Sequence, residues 1–238
     1  MVFVAPWAEE MNKSRRMVSL AARDFAARGV SVLIVDLAGT GDSALDFSEA
    51  TWDLWLEDIR HAHQWLSHTI NAPVGLWGLR LGALLAATAA AHIEDTAGLL
   101  LWQPVVSGKT HLTQFLRLKL AADALANGGG QNTQHWMDQL TQGHRVEVAG
   151  YTLPPALALP MAQARLELPT SFSAPVEWIE ISPNDPPTLL PASSPVLERW
   201  REQGVPLHTT ALTGPAFWQT QEIEVCASLP AASLRFLE

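Results

Sequence analysis

The segment with the most chemical content is Trp77-Gly78-Leu79-Arg80-Leu81-Gly82-Ala83, at the junction of an apolar run and an alanine-rich one. Glycines two residues to either side of a central residue suit a tight turn between a strand and a helix, packed so closely that no side chain fits at the flanks. With serine at the centre, such a turn presents a nucleophile for acyl transfer. Here the centre is Arg80, and a protonated guanidinium has no lone pair with which to attack a carbonyl or accept a proton. The chemistry open to it is anion binding, because its planar fork matches a carboxylate, phosphate or sulfate. A plain packing turn would carry the same glycine spacing.

Two further segments hold polar residues between apolar runs. Ala5-Pro6-Trp7-Ala8-Glu9-Glu10-Met11-Asn12-Lys13-Ser14-Arg15-Arg16-Met17 either brings Glu9 or Glu10 to a site or is a solvated helix start capped by Asn12 or Ser14. Asp36-Leu37-Ala38-Gly39-Thr40-Gly41-Asp42-Ser43 has two glycines but lacks the third glycine and the immediate helix of a dinucleotide fingerprint. A structural turn is the better reading. His61 and His63 are two apart on a helical pattern and so face different ways, and no H-x-x-x-H occurs. Neither a metal nor a cofactor is expected.

The elements that must position these residues follow from periodicity. Val2 to Ala5 reads as a strand. Met17, Leu20, Ala21 and Phe25 recur at helical spacing before Gly29, and Val30 to Val35 is a second strand. Thr51 is placed to cap a helix carrying Trp52, Trp55, Leu56, Ile59 and Leu66 on one face. Val74 to Trp77, the helix Leu81 to Ala91 and the strand Gly98 to Trp102 continue the alternation. It resumes with Val176 to Ile181, a helix Val196 to Gln203, a strand Leu207 to Leu212 and a closing helix from about Thr220. Continuous apolar strands alternating with helices predict an α/β fold, a mostly parallel sheet with helices on both faces. Between them, residues 110–172 hold an amphipathic helix over 111–126, the glycines Gly128 to Gly130 and a Pro-rich stretch over 154–169. That is the composition of a helical lid inserted into a single domain spanning 1–238.

The strings AEEMNKSRRM at 8–17, WGLRLGALLA at 77–86, LWQPVVSGK at 101–109 and GPAFWQ at 214–219 resemble the exosortase A system-associated hydrolase 2 family, a branch of the α/β-hydrolases, over nearly the whole chain. The resemblance implies an α/β-hydrolase-like fold and a bacterial protein encoded near exopolysaccharide and exosortase genes. It also implies a hydrolase label that rests on fold analogy. Carried over by position, the superfamily triad is incomplete. Arg80 takes the nucleophile's place, and the loop Gly214-Pro215-Ala216-Phe217-Trp218 holds no histidine. Asp185, after the strand Val176 to Ile181, is the candidate acid. A relocated triad would draw on Ser107, Ser43 or Ser14 with His111 or His208, all of which also read as capping hydroxyls or surface imidazoles.

The expected site lies at the carboxyl ends of the strands, lined by Trp7, Glu9, Glu10, Arg80, Leu81, Gln103, Ser107 and Trp218. Its ligand would be a small molecule of acyl or glycan type, anionic if Arg80 binds it. Two function classes follow: a hydrolase or acyltransferase of unorthodox chemistry, and a catalytically inactive pseudo-hydrolase that binds an anionic ligand or partner through Arg80. Superfamily members also place two strands before the one at Val2 to Ala5, so these N-terminal strands are expected to be missing. Val30 to Val35 would then form an open sheet edge suited to a homodimer, unless the true start lies upstream of Met1.

Composition narrows the partners. Of 238 residues, 48% are hydrophobic and 16% charged, a globular balance, and the net charge of -9 disfavours nucleic acid. No apolar run is long enough for a membrane span and no leader opens the chain. The single cysteine, Cys226, excludes an internal disulfide. A cytoplasmic protein is expected.

Overall fold

The computed structural model describes residues 1–127 and 132–237; the glycines Gly128 to Gly130, read above as punctuation, lie outside the described residues. In chain order the elements are β1 (Val2–Val4), α1 (Ala8–Ala26), β2 (Leu33–Val35), α2 (Trp52–Ile70), β3 (Val74–Leu79), α3 (Leu81–Ala90) and β4 (Thr96–Trp102). They continue with α4 (Gly108–Asn127), α5 (Thr133–Thr141), β5 (Val146–Val148), β6 (Tyr151–Leu153), α6 (Pro155–Gln163), β7 (Val176–Ser182), α7 (Ser194–Glu202), β8 (Leu207–Thr213) and α8 (Leu229–Ser233).

The chain divides into two compact units. The first comprises Met1–Val35, Ile59–Val106 and Leu166–Glu238. It holds a six-stranded sheet in the order β2-β1-β3-β4-β7-β8, with every neighbouring pair parallel. Strands buried on both faces must be apolar throughout, and β3 (VGLWGL) is buried at every position. A ladder of edge-on aromatic rings runs through the core. Phe3 meets Trp77 at 4.6 Å, Trp77 meets Trp102 at 4.6 Å, Trp102 meets Phe217 at 6.4 Å, and Phe217 meets Trp218 at 5.2 Å. Each contact adds about 0.5–1.5 kcal/mol beyond area burial.

The second unit comprises Asp36–Asp58 and Ser107–Arg165. Helices α4, α5 and α6 pack on the antiparallel β5–β6 pair around Leu112, Leu116, Leu140, Val148, Leu153 and Leu157, all buried. Gly108 is required where α4 begins, because a Cβ there would lie 1.8 Å from the Met161 carbonyl oxygen. The Asp36–Ser43 string forms the structural turn anticipated above. A Cβ on Gly41 would strike the Asp36 carboxylate, which accepts from the Asp42 amide at 3.0 Å, and the Asp58 carboxylate accepts from the Ala38 amide at 2.8 Å.

Several elements differ from expectation. Helix α1 starts at Ala8 behind Trp7, so Asn12 and Ser14 lie inside it and cap nothing; Ser14 donates instead to the Met11 carbonyl at 3.1 Å. Strand β2 covers only Leu33–Val35 of the β-branched run. The Pro-rich stretch contains α6, because Pro155 occupies the helix's first turn, where no amide is used. The closing helix is reduced to α8 and a 3-10 turn at Leu234–Leu237, since residues 220–228 are irregular. Thr51 behaves as expected, its hydroxyl accepting from the Leu54 amide at 3.1 Å.

Candidate functional site

In the sheet order, β1 leads outward to β2 while β3 leads the other way to β4, so the strand order reverses between β1 and β3. In open α/β sheets the crevice at the carboxyl ends of such a pair is where ligands bind. The connections that leave these ends are Ala5–Trp7 into α1 and Arg80 into α3.

Arg80 sits at the turn with φ 56° and ψ -119°, a left-handed conformation that costs an arginine about 1–3 kcal/mol. The flanking glycines make it possible. A Cβ on Gly78 would lie 2.4 Å from the Ala83 Cα, and one on Gly82 would lie 2.1 Å from the Val4 carbonyl oxygen. Two other non-glycine residues with positive φ follow neighbouring strands: Ala8 (51°) after β1 and Gln103 (42°) after β4. Three strained residues thus lie together at the ends of three adjacent strands, and backbone strain of this kind clusters at binding and active sites.

The Arg80 side chain, 15% exposed, donates from Nε and Nη2 to the same oxygen of Glu10, Oε1, at 3.2 Å each. Its guanidinium carbon lies 5.4 Å from the centroid of the Trp218 ring. Glu10 Oε2 is buried and has no hydrogen-bond partner among the described residues. Burial pushes the Glu10 carboxyl above the usual carboxylate range, while the charge and hydrogen bonds of Arg80 pull the other way. Of the two glutamates left open by the sequence, Glu10 therefore reaches the elbow, and Glu9 is exposed on α1.

The remaining candidates are dispersed. Trp7 and Trp218 are buried, and Leu81 is fully so, leaving its backbone as the part available at the turn. Gln103 is tied into the sheet: its amide donates to the Ile179 carbonyl at 2.7 Å, and its Oε1 accepts from the Ile181 amide at 2.6 Å. Ser107 belongs to the second unit, where its hydroxyl accepts from the Thr110 amide and hydroxyl at 3.4 and 3.3 Å, the pattern of a helix cap. Ser43 donates to the Ala44 carbonyl at 3.2 Å. His111 is buried in the second unit. His208 opens β8, at the end of the sheet opposite the elbow. There its Nδ1 donates to the buried Glu177 carboxylate at 2.7 Å, and its Nε2 receives Arg235 Nη1 at 3.0 Å. Asp185 is exposed in the loop after β7. No serine–histidine hydrogen bond joins these side chains among the described residues.

Two buried carboxylates, Glu177 and Glu180, carry no expectation from the sequence. Glu180, within β7, accepts from Trp178 Nε1 at 2.9 Å, from the Leu190 amide at 2.5 Å, and from the Ser193 hydroxyl. It thereby fixes the loop that carries Asp185. Two glutamates inside the otherwise apolar run VEWIEIS are the available signal, because a buried carboxylate must be matched by donors.

A cavity of about 330 Å³ lined by Ala91, Glu94, Pro169 and Phe172 opens near the start of β4, at the opposite end of the sheet from Arg80. Among the described residues no three histidine, cysteine or acidic side chains are grouped to hold a metal ion, and no helix is long and apolar enough to cross a membrane.

The profile of the serine aminopeptidase S33 family matches residues 11–146, the stretch that contains most of α1, all of β3 and the elbow. The chain belongs to that family. Solved structures similar to this S33 family member include Est1E from Butyrivibrio proteoclasticus with bound ferulic acid. The two share 16% identity and a TM-score of 0.66, over 99% of this chain and 86% of that one. The α/β hydrolase GrgF from Penicillium sp. sh18 shares 16% identity with a TM-score of 0.60, over 99% and 88%. XC6422 from Xanthomonas campestris, described as an α/β serine hydrolase without lid, shares 16% with a TM-score of 0.56, over 99% and 79%. At this identity the likeness establishes the α/β-hydrolase fold for this S33 chain and leaves chemistry to the site itself. No curated protein matches the sequence.

Proposed function

We propose that this S33-family chain is a pseudo-hydrolase of the exosortase and exopolysaccharide-associated branch, binding an anionic group at the elbow through Arg80. The observation that carries the reading is Arg80 itself. A strained turn places a guanidinium where the fold otherwise presents a nucleophile, while the loop after β8 supplies no histidine. The lining is proposed to comprise Glu10, Arg80, the Leu81 amide and Trp218, with Trp7, Glu9 and Gln103 around them. Residues 110–172 would act as the lid; in support, 107–165 folds with 36–58 as a compact unit of its own. A bacterial source is proposed from the same resemblance, and a cytoplasmic location from the single cysteine, Cys226, which fits a reducing compartment.

The second reading is hydrolysis or acyl transfer by unorthodox chemistry on an exopolysaccharide- or lipid-linked substrate, favoured by the family match across the elbow. A turnover screen with acyl esters, thioesters and glycans, run beside calorimetry with carboxylate, phosphate and sulfate ligands, separates the two. Anion binding without turnover supports the first reading. Turnover that survives in Arg80→Ala supports the second.

We also propose a homodimer through β2. This strand is one of the sheet's two edges, bears no charged or proline residue, and leaves Ile34 47% exposed. Ile34→Lys should then lower self-association in sedimentation velocity, and a wild-type monomer at high concentration would refute the proposal.

A further inference from the structure

The anion-binding reading leaves one feature unexplained, namely that the anion's place on Arg80 is already taken. Glu10 contributes one oxygen to two donors of the guanidinium, while its other oxygen is buried and receives no hydrogen bond among the described residues. The side-by-side geometry these groups favour would engage both carboxylate oxygens, and here only Oε1 is engaged. The geometry points to Glu10 as an internal stand-in for the anionic ligand, so that an external anion takes Arg80 from Glu10 only as Glu10 takes up a proton. This deepens the anion-binding reading and rests on it.

The argument is electrostatic. If an external anion took the Nε–H and Nη2–H of Arg80, an ionised Glu10 would be left beside it with no compensating charge. Two carboxylate-like charges in one shielded site cannot both stay ionised cheaply. One proton from solution, placed on Glu10, removes the conflict. Oε2 can accept that proton without losing an existing bond, and as a hydroxyl it becomes a donor that can face the incoming anion.

Within the first unit the elements flanking Glu10 add no titratable side chain, and the Met1 ammonium, its pKa lowered to about 6 by burial, lies at the start of β1 against the Ser31 carbonyl. Strand β1, the residues Gly214–Gln219, the segment Gln103–Val106 and α8 carry no titratable side chain. Arg80 is the charged group acting on Glu10 from another element, and Glu9 and Lys13 are its charged neighbours on α1. Burial already pushes the Glu10 carboxyl upward, which lowers the cost of protonating it.

Sulfate is the probe, since it does not titrate between pH 5 and 8. Its binding to the full chain is measured by calorimetry at constant ionic strength, in buffers of different ionisation enthalpy. The expected result is uptake approaching one proton per sulfate bound and an affinity that rises about tenfold for each pH unit lowered, while Glu10 is ionised in the free protein. Glu10→Gln should bind sulfate more tightly than wild type at pH 8 and lose the pH dependence. The wild-type proton count stands even if that variant folds poorly. Sulfate binding with no proton uptake and no pH dependence would overturn the displacement inference while leaving the anion site intact. Absence of sulfate binding in both wild type and Glu10→Gln would overturn the anion site and the inference together.

Discussion

Arg80 and Glu10, 70 residues apart in the chain, meet through two donors on a single oxygen at 3.2 Å. Arg80→Ala therefore strands a carboxylate that burial already disfavours as an ion. The pair keeps some solvent contact, with side chains 15% and 19% exposed, so the cost should fall below that of a fully buried pair, at about 2–3 kcal/mol at pH 7. The sign with pH is fixed. A carboxyl whose folded pKa lies above its unfolded value binds more protons folded than unfolded, so the deficit grows as pH rises and is relieved as pH falls. Urea unfolding of Arg80→Ala at pH 5 and pH 8 tests this, and adding Glu10→Gln should recover part of the loss at pH 8.

Restoring the nucleophile alone should not restore hydrolysis. Arg80→Ser places a hydroxyl on the strained turn, but the residues Gly214–Gln219 offer no imidazole to take its proton. A fluorophosphonate probe is expected to leave both wild type and Arg80→Ser unlabelled. Stoichiometric labelling of the wild type would reveal a relocated nucleophile.

The elbow glycines should resist even the smallest side chain. Gly82→Ala drives a methyl to 2.1 Å from the Val4 carbonyl oxygen, and Gly78→Ala to 2.4 Å from the Ala83 Cα. Both obstacles are backbone, so the strand and helix must separate. A loss of about 3 kcal/mol or insoluble expression is expected for each. Melting temperatures within a degree of wild type would mean the turn is looser than its geometry implies.

His63 should set an acid limit on stability. It is buried on α2 with Nε2 2.8 Å from the Val74 carbonyl, and burial lowers its pKa from the ordinary 6.5 against the pull of that hydrogen bond. Between the lowered and the ordinary pKa the unfolded chain binds more protons, so stability falls as pH drops through that window. His63→Gln should flatten this limb between pH 7 and 5, at a constant cost of about 1 kcal/mol if its amide does not reach Val74. A limb unchanged in the variant would assign the acid sensitivity elsewhere.

The elbow was legible in the sequence because everything that specifies it is local: a strand-length apolar run, glycines at fixed spacing and a small-residue helix. Thr51 was legible for the same reason. The Glu10 contact was not, since choosing between Glu9 and Glu10 requires the rotation of α1 about its axis, and that depends on a start at Ala8 behind a left-handed φ. Gln103 was read as a lining residue because it follows a strand. Its oxygen instead serves the Ile181 amide, a pairing set by the neighbour order of β4 and β7. His208 stood as a base candidate until the sheet direction placed it at the far end, held by Glu177. Each miss turned on a long-range pairing that periodicity does not encode.

The order of pairing within the sheet also governs how fast it can be made. Val2 pairs with Leu76 and Leu99 with Val176, across gaps of 74 and 77 positions, so although the central β3 and β4 pair across 23 (Trp77 with Leu100), neither flank of that pair closes locally. Each closure must pay its chain entropy before any contact returns it, which predicts slow refolding for a chain of this length. The 107–165 segment, folding on local helix contacts, would shorten the second of these loops if it forms first. During the wait, β4 and β7 present bare apolar edges to other molecules. The yield of native protein should therefore depend more steeply on concentration during refolding than the finished fold's stability would suggest.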